Sequence, residues 1–114
     1  RESRQIEVTE ISRSTKALAR ELEIPIICLA QLSRKVEERA DKKPMMSDLR
    51  ESGSIEQDAD KILLLHRPEY YDRDNEELKG KAHIIVAKNR NGPTGEVEMH
   101  FHKNQMRFES MTRM

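Results

Sequence analysis

Apolar residues recur at steps of three and four positions near the start of the chain, which predicts an amphipathic helix over residues 6–22. The narrow apolar face of this helix consists of Val8, Ile11, Thr15, Leu18 and Leu22. Pro25 follows soon after Leu22, as is common beyond the end of a helix. The remaining positions of the segment are mostly charged.

A short apolar run follows at residues 26–30 (IICLA). Its length and β-branched content predict a strand buried on both faces, the kind found in parallel sheets. A helix followed by a buried strand is half of a βαβ unit. Cys28 lies in this run and is the single cysteine, so we expect a buried, inert thiol in a reducing cytoplasm rather than a disulfide.

The C-terminal half predicts a second buried strand at 62–65 and a third strand at 82–87, followed by a turn at 91–95 (NGPTG). Val97, Met99 and Phe101 then alternate with polar residues, which predicts a half-buried strand antiparallel to the one before the turn. Phe108 marks a last short strand. The predicted fold class is α/β, with a mostly parallel sheet and a C-terminal antiparallel hairpin.

Residues 31–59 hold few apolar anchors, although short helical turns are predicted after Arg34, at Asp48–Arg50 and from Ser54 to Gln57. Such long polar excursions in compact domains are usually functional or disordered. Gly53 and the surrounding turn could cradle a phosphate with backbone amides, helped by the charges of Arg34 and Arg50; the alternative is a mobile surface loop.

Two other positions are candidates for phosphate contacts. Gln31 directly follows the predicted strand 26–30, and ligands bind beyond the carboxyl ends of strands in open α/β sheets. Lys88 and Arg90 follow the strand 82–87 and lie two apart on an extended segment, so they should point the same way. The alternatives are a polar residue that only ends a strand, and a solvated strand end.

Composition limits the function classes. Lys plus Arg and Asp plus Glu both number 21, so any contact with nucleic acid must be local. With only four aromatic residues, a binder should grip phosphates rather than stack bases. One cysteine and four scattered histidines suggest no metal site, and no stretch is long and apolar enough for a membrane span. The residues contain no Gly-x-x-x-x-Gly-Lys-Ser/Thr loop, so the chain alone should not hydrolyse ATP.

Three motifs in order resemble the DnaB family of bacterial replicative helicases. They are the family's third helicase motif at 29–34 (LAQLSR), its DNA-loop segment at 46–60 (MSDLRESGSIEQDAD) and its fourth motif at 87–95 (AKNRNGPTG). Flanking residues from Ser12 to Asn104 match as well, so the resemblance covers nearly the whole chain.

The resemblance implies an ATP-driven, Mg²⁺-dependent enzyme that moves 5′ to 3′ on single-stranded DNA as a homohexameric ring in the cytoplasm, with primase and a helicase loader as partners. Gln31 would be the sensor that couples the γ-phosphate to the DNA loops. Arg90 would be an arginine finger acting on the ATP of the neighbouring subunit, assisted by Lys88. Arg50, Glu51 (through its main-chain amide) and Gly53 would hold the DNA backbone in the channel.

Arg34 is a further candidate for that channel. The implied fold is part of a RecA-like domain, with residues 1–114 forming its C-terminal portion and with the strands of the phosphate-binding loop and of the metal-binding acid upstream of Arg1. We therefore expect no ATP or Mg²⁺ on the chain alone, and unpaired edges at 26–30 through which it could self-associate. Another RecA-like ring ATPase and a non-catalytic DNA-binding module are the alternative readings.

Overall fold

A long N-terminal helix, α1 (Glu2–Leu22), opens the computed structural model, which describes residues 2–52 and 54–111 and the side chains of 6–49 and 54–111. The helix contains the predicted segment and begins four residues earlier. It ends in a Schellman arrangement, in which the Ile24 amide donates to the Ala19 carbonyl and Glu23 adopts a positive φ of 56°. The chain then turns away before Pro25, so the predicted helix end is confirmed.

Residues 24–33 have no regular secondary structure, and no strand within the described residues pairs with them. Ile27 and Leu29 are 88% and 96% exposed, and Cys28 is exposed too. The predicted strand at 26–30, buried on both faces with a buried thiol, is therefore wrong for the chain as described. Apolar and β-branched residues favour extended backbone, but a strand also needs a neighbour to complete its hydrogen bonds.

The polar excursion is ordered by short helical elements. These are the 3-10 helices Arg34–Glu38 and Met46–Ser52 and the single-turn helix α2 (Ile55–Asp58). Leu49 anchors the second 3-10 helix, because its side chain is buried against Ile62 and Leu64. Partly buried side chains pack around these three and complete the small core: Leu32, Met46, Ala59, Ile85 and Ala87.

The sheet of the described residues has four strands in the order in which they occur: β1 (Lys61–His66), β2 (Lys81–Asn89), β3 (Gly95–His102) and β4 (Arg107–Ser110). All three pairings are antiparallel. The β2–β3 hairpin and the strand around Phe108 are confirmed, whereas the mostly parallel sheet is wrong. β1 and β2 are joined by a loop with two short helices, α3 (Pro68–Tyr71) and the 3-10 helix Glu76–Leu78, rather than by a crossover that would make them parallel.

Burial alternates along β1. Ile62, Leu64 and His66 face the core, whereas Leu63 and Leu65 are 58% and 55% exposed. The prediction of a strand buried on both faces is therefore wrong in this chain, since the described residues cover only one side of the sheet. Within the same residues, no helix has the length and apolar content needed to cross a membrane.

Candidate functional site

The end of β2 is bonded to the segment that follows the predicted DNA loop. Lys88 donates from Nζ to the carbonyls of Glu56 and Gln57, at 2.9 and 3.2 Å. One residue beyond the strand, the Arg90 amide donates to the Asp60 carbonyl at 2.9 Å. The two cations predicted to point the same way therefore both engage residues 56–60.

Asp60 bridges this strand end and α1. Its Oδ1 accepts from Lys16 Nζ at 2.6 Å and from Arg90 Nη1 at 2.7 Å. The hydrogen bond from Lys16 is the main cause that lowers the pKa of Asp60, partial burial opposes it, and the positive charges of Lys16, Arg90 and Lys61 add to the lowering. Asp60 is therefore a carboxylate at neutral pH and holds Arg90 in its observed orientation.

Asp58 makes a second link between α1 and this segment. Its Oδ2 accepts from Ser12 Oγ at 2.7 Å and from Ser54 Oγ at 2.8 Å. These two hydroxyl donors, Ser12 first, lower the pKa of the Asp58 carboxyl against the opposing effect of burial. Ser12 and Lys16 lie four residues apart on α1 and so share a face, which explains why one helix reaches both aspartates.

A buried carboxylate holds the other end of the predicted DNA segment. Asp48 is 4% exposed and lies in the 3-10 helix Met46–Ser52. Arg39 reaches it with a two-pronged contact, from Nη1 to Oδ1 at 3.2 Å and from Nη2 to Oδ2 at 2.5 Å. The Met45 amide also donates to Asp48 Oδ2, at 2.8 Å.

The backbone of Asp48 connects this helix to the Gln31 segment. Its carbonyl accepts from the Ser33 amide at 2.9 Å. Gln31 itself is exposed and lies two residues before that contact. Within the described residues, no hydrogen bond or ion pair joins Gln31 to Lys88 or Arg90. Gln31 is therefore linked to the DNA segment through the nearby contact of Ser33 with Asp48, but it does not share a site with the two cations.

The remaining predicted residues are placed only in part. Arg34 is exposed and begins the 3-10 helix Arg34–Glu38. The backbones of Arg50 and Glu51 belong to the helix Met46–Ser52, while their side chains, and Gly53 entirely, lie outside the part of the chain that is described. Their contacts with DNA remain predictions.

A shallow cavity of about 370 Å³ lies beside Arg90. Lys16, Arg20, Glu23 and Asp60 line it, together with Ile24, which follows the end of α1. Arg90 is 46% exposed there and is available to a group outside the chain. The described residues contain no cluster of three or more His, Cys, Asp or Glu arranged to hold a metal ion.

The residues that sequence reasoning missed are the acidic partners and their counterparts: Arg39, Asp48, Asp58, Asp60, Ser12 and Lys16. The signal for Asp48 in the sequence is weak: it is an acid beside Leu49, one of the few apolar residues of a polar segment. Nothing in the sequence pairs Lys16 with an aspartate 44 residues later, because only the fold brings them together.

Comparison with known proteins gives a consistent result. A family model described as the DnaB-like helicase C terminal domain matches residues 1–110. The chain is 59% identical over 113 residues to the replicative DNA helicase DnaB of Geobacillus stearothermophilus, an alignment that covers 99% of this chain and 25% of that protein. It is 55% identical over 112 residues to that of Mycobacterium leprae (strain TN), covering 98% and 18%.

A solved structure, described as a DnaB-like replicative helicase and its interactions with primase, superposes with a TM-score of 0.89. It is 48% identical, and the match covers 95% of this chain and 26% of that one. The predicted partial RecA-like α/β fold agrees with this likeness, and the chain spans about a quarter of the length of the relatives it matches. The chain belongs to the family of DnaB-like helicase C-terminal domains.

Proposed function

We propose that this chain is the C-terminal part of the motor domain of a replicative DNA helicase. In that protein, a homohexameric ring uses ATP hydrolysis to unwind duplex DNA 5′ to 3′ in the cytoplasm. The match to relatives named replicative DNA helicase supports this assignment over another ring ATPase or a stand-alone DNA-binding module. Primase is a proposed partner, since a similar structure is described with its primase interactions, and a helicase loader is another.

One observation carries the mechanism: the segment 46–60 is bonded at its start to the stretch that carries Gln31 and at its end to Lys88 and Arg90. At its start, Asp48 accepts from Ser33, two residues after the proposed sensor Gln31. At its end, Glu56, Gln57 and Asp60 are bonded to Lys88 and Arg90. A movement of either phosphate-contacting element therefore pulls on the backbone that carries the proposed DNA residues.

Arg90 is the proposed arginine finger of this motor. It follows β2, is exposed beside a cavity, and presents a planar guanidinium that suits phosphate oxygens. In this proposal Arg90 acts in trans, on ATP and Mg²⁺ held by a neighbouring subunit. Bound there, ATP supplies the phosphoryl group, and Arg90 stabilises the charge that develops on it.

Lys88 and Gln31 have supporting roles in this proposal. Lys88 Nζ holds the carbonyls of Glu56 and Gln57, so it assists by keeping β2 and the DNA segment in register. The exposed amide of Gln31 senses the γ-phosphate and passes the change through Ser33 to Asp48. Arg50, Glu51 (by its amide) and Gly53 hold the DNA backbone, with Arg34 as a further contact.

The test is Arg90→Ala in the full-length protein, with Arg107→Ala as a matched control because Arg107 is an exposed arginine on β4. We expect Arg90→Ala to lower DNA-stimulated ATP hydrolysis by about a thousandfold, the lower end of the effect of an arginine finger, because charge on the transferring phosphoryl group loses its partner. Arg107→Ala should hydrolyse ATP normally. A near-normal rate for assembled Arg90→Ala on DNA would show that the finger assignment is wrong.

Mixed rings test whether the finger acts in trans. Subunits with Arg90→Ala are mixed with subunits inactivated in the phosphate-binding loop, which lies outside this chain. We expect partial recovery of ATP hydrolysis, since an intact finger then faces an intact neighbouring site. If the mixture is as inactive as each variant alone although mixed rings form, Arg90 acts within its own subunit.

A further inference from the structure

Asp48 is a buried acid in a part of the chain that is otherwise polar and mostly exposed. Its side chain is 3% exposed, while that of Arg39 is 28% exposed. Taking a carboxylate out of water is costly unless it is paired and hydrogen-bonded. The contacts from Arg39 and from the Met45 amide meet this requirement.

Arg39 closes a loop as well as neutralising the carboxylate. Its Nε and Nη2 both donate to the Lys43 carbonyl, at 3.2 and 2.7 Å, while its guanidinium also holds Asp48. The Asp48 amide donates back to the Met45 carbonyl at 2.9 Å. One planar side chain thus fixes residues 39, 43 and 48 relative to one another, which a lysine could not do with its single ammonium group.

The contact between Arg39 and Asp48, which we call the clamp, lies where the segment that carries Gln31 meets the helix Met46–Ser52. Next to Asp48, Leu49 is buried in the core against Ile62 and Leu64. The Asp48 carbonyl accepts from Ser33. The start of the helix Met46–Ser52 is therefore held by the core, by the Gln31 segment and by Arg39, and the residue that follows Leu49 is Arg50.

We propose that the clamp of Arg39 and Asp48 is a positioning device that holds the helix Met46–Ser52 in the position and orientation needed for residues 50–53 to bind DNA. Arg39 and Asp48 touch neither nucleotide nor DNA in this proposal. They keep the backbone between Ser33 and the proposed DNA residues rigid, so that a shift at Gln31 is transmitted to those residues. The inference rests on the proposed function, because it presumes that residues 50–53 bind DNA.

The test is Arg39→Ala in the full-length helicase, with Lys79→Ala as the control because Lys79 forms an exposed ion pair with Glu76. We expect Arg39→Ala to weaken binding to a fluorescent single-stranded oligonucleotide by about tenfold, since a misplacement of about 1 Å is enough for losses of this size. Stimulation of ATP hydrolysis by DNA should fall with it. ATP hydrolysis without DNA should stay within about twofold, because the contacts of Arg39 are made to Lys43 and Asp48 and not to Arg90.

Arg39→Lys and Arg50→Ala complete the set. Arg39→Lys should restore part of the DNA affinity, because lysine keeps the charge but not the two-pronged contact. If Arg39→Ala does not assemble into rings, the same measurements are made on Arg39→Lys. Its DNA affinity should then be lower than that of the wild-type protein, by a smaller factor than is expected for Arg39→Ala. Arg50→Ala should weaken DNA binding without changing the thermal stability of the protein.

Three results would overturn the proposal. The first is unchanged DNA affinity in assembled Arg39→Ala, or in Arg39→Lys where that variant replaces it. The second is an equal loss of ATP hydrolysis with and without DNA, which indicates a merely structural role. The third is normal DNA binding by Arg50→Ala, which also refutes the proposed function of this segment. Weak binding by Arg50→Ala together with normal binding by the Arg39 variant refutes only the clamp.

Discussion

The two attachments of the segment 46–60 use the same chemical group in opposite environments. At the start, Asp48 is buried, bound by both nitrogens of the Arg39 fork and by a backbone amide. At the end, Asp60 has a side chain that is 56% exposed and shares one oxygen between Lys16 and Arg90. One attachment is enclosed by protein, and the other faces solvent.

This difference suits the different roles proposed for the two ends. Breaking a buried pair leaves a desolvated charge without a partner, so such a pair stays closed. An exposed pair contributes little to stability because water and salt compete for both charges. The buried end can therefore fix the helix Met46–Ser52, which carries the proposed DNA contacts. The exposed end can let Arg90 exchange Asp60 for a phosphate with little loss of stability.

The largest expected effect is that of Asp48→Asn, which removes the charge without changing the shape. The amide nitrogen of asparagine cannot accept from Arg39 or Met45, so we expect the free energy of unfolding to fall by about 2 to 3 kcal/mol, just under the range for breaking a buried ion pair. Thermal or denaturant unfolding of the full-length protein measures this. Unchanged stability would mean that the Asp48 contacts contribute nothing beyond those of a neutral isostere.

The matched change at the exposed end, Asp60→Asn, is expected to have a much smaller effect on stability. Lys16 and Arg90 lose a shared partner, but that partner is a carboxylate already 56% exposed to water. Raising the NaCl concentration to about 0.5 M should erase the remaining difference from the wild-type protein, because salt screens exposed charges. A large, salt-resistant loss in Asp60→Asn would contradict the contrast between the two ends.

The smallest expected effect is the pH dependence of the exposed end. The pKa of Asp60 in the folded protein lies below its ordinary value of 3.8, so its stabilising contribution is present above that value and is lost as the pH falls through the folded-state pKa. The difference in melting temperature between the wild-type protein and Asp60→Asn should therefore be constant near neutrality and should vanish under acid conditions. A difference that grows on acidification would contradict the assigned direction of the shift.

The motifs indicate candidate residues for the site but not the contacts between them. Gln31, Lys88 and Arg90 stand out by their positions after predicted strands, and the DNA-loop segment stands out by the resemblance. The sequence does not predict the side-chain contacts of Asp58 and Asp60, since both bond to residues on α1 more than 40 positions away. Sequence spacing carries information about neighbours within one helix or strand, but not about contacts between distant elements.

The sequence by itself determined the elements whose pattern is local. The helical period of α1 and the turn between β2 and β3 are signals within one segment, so they do not depend on the rest of the chain. Only the tertiary structure decided the neighbours: β1 pairs antiparallel with β2, residues 26–30 stay unpaired within the described residues, and Asp48 is buried. The physical reason is that burial and pairing are properties of two surfaces, while a sequence pattern describes one.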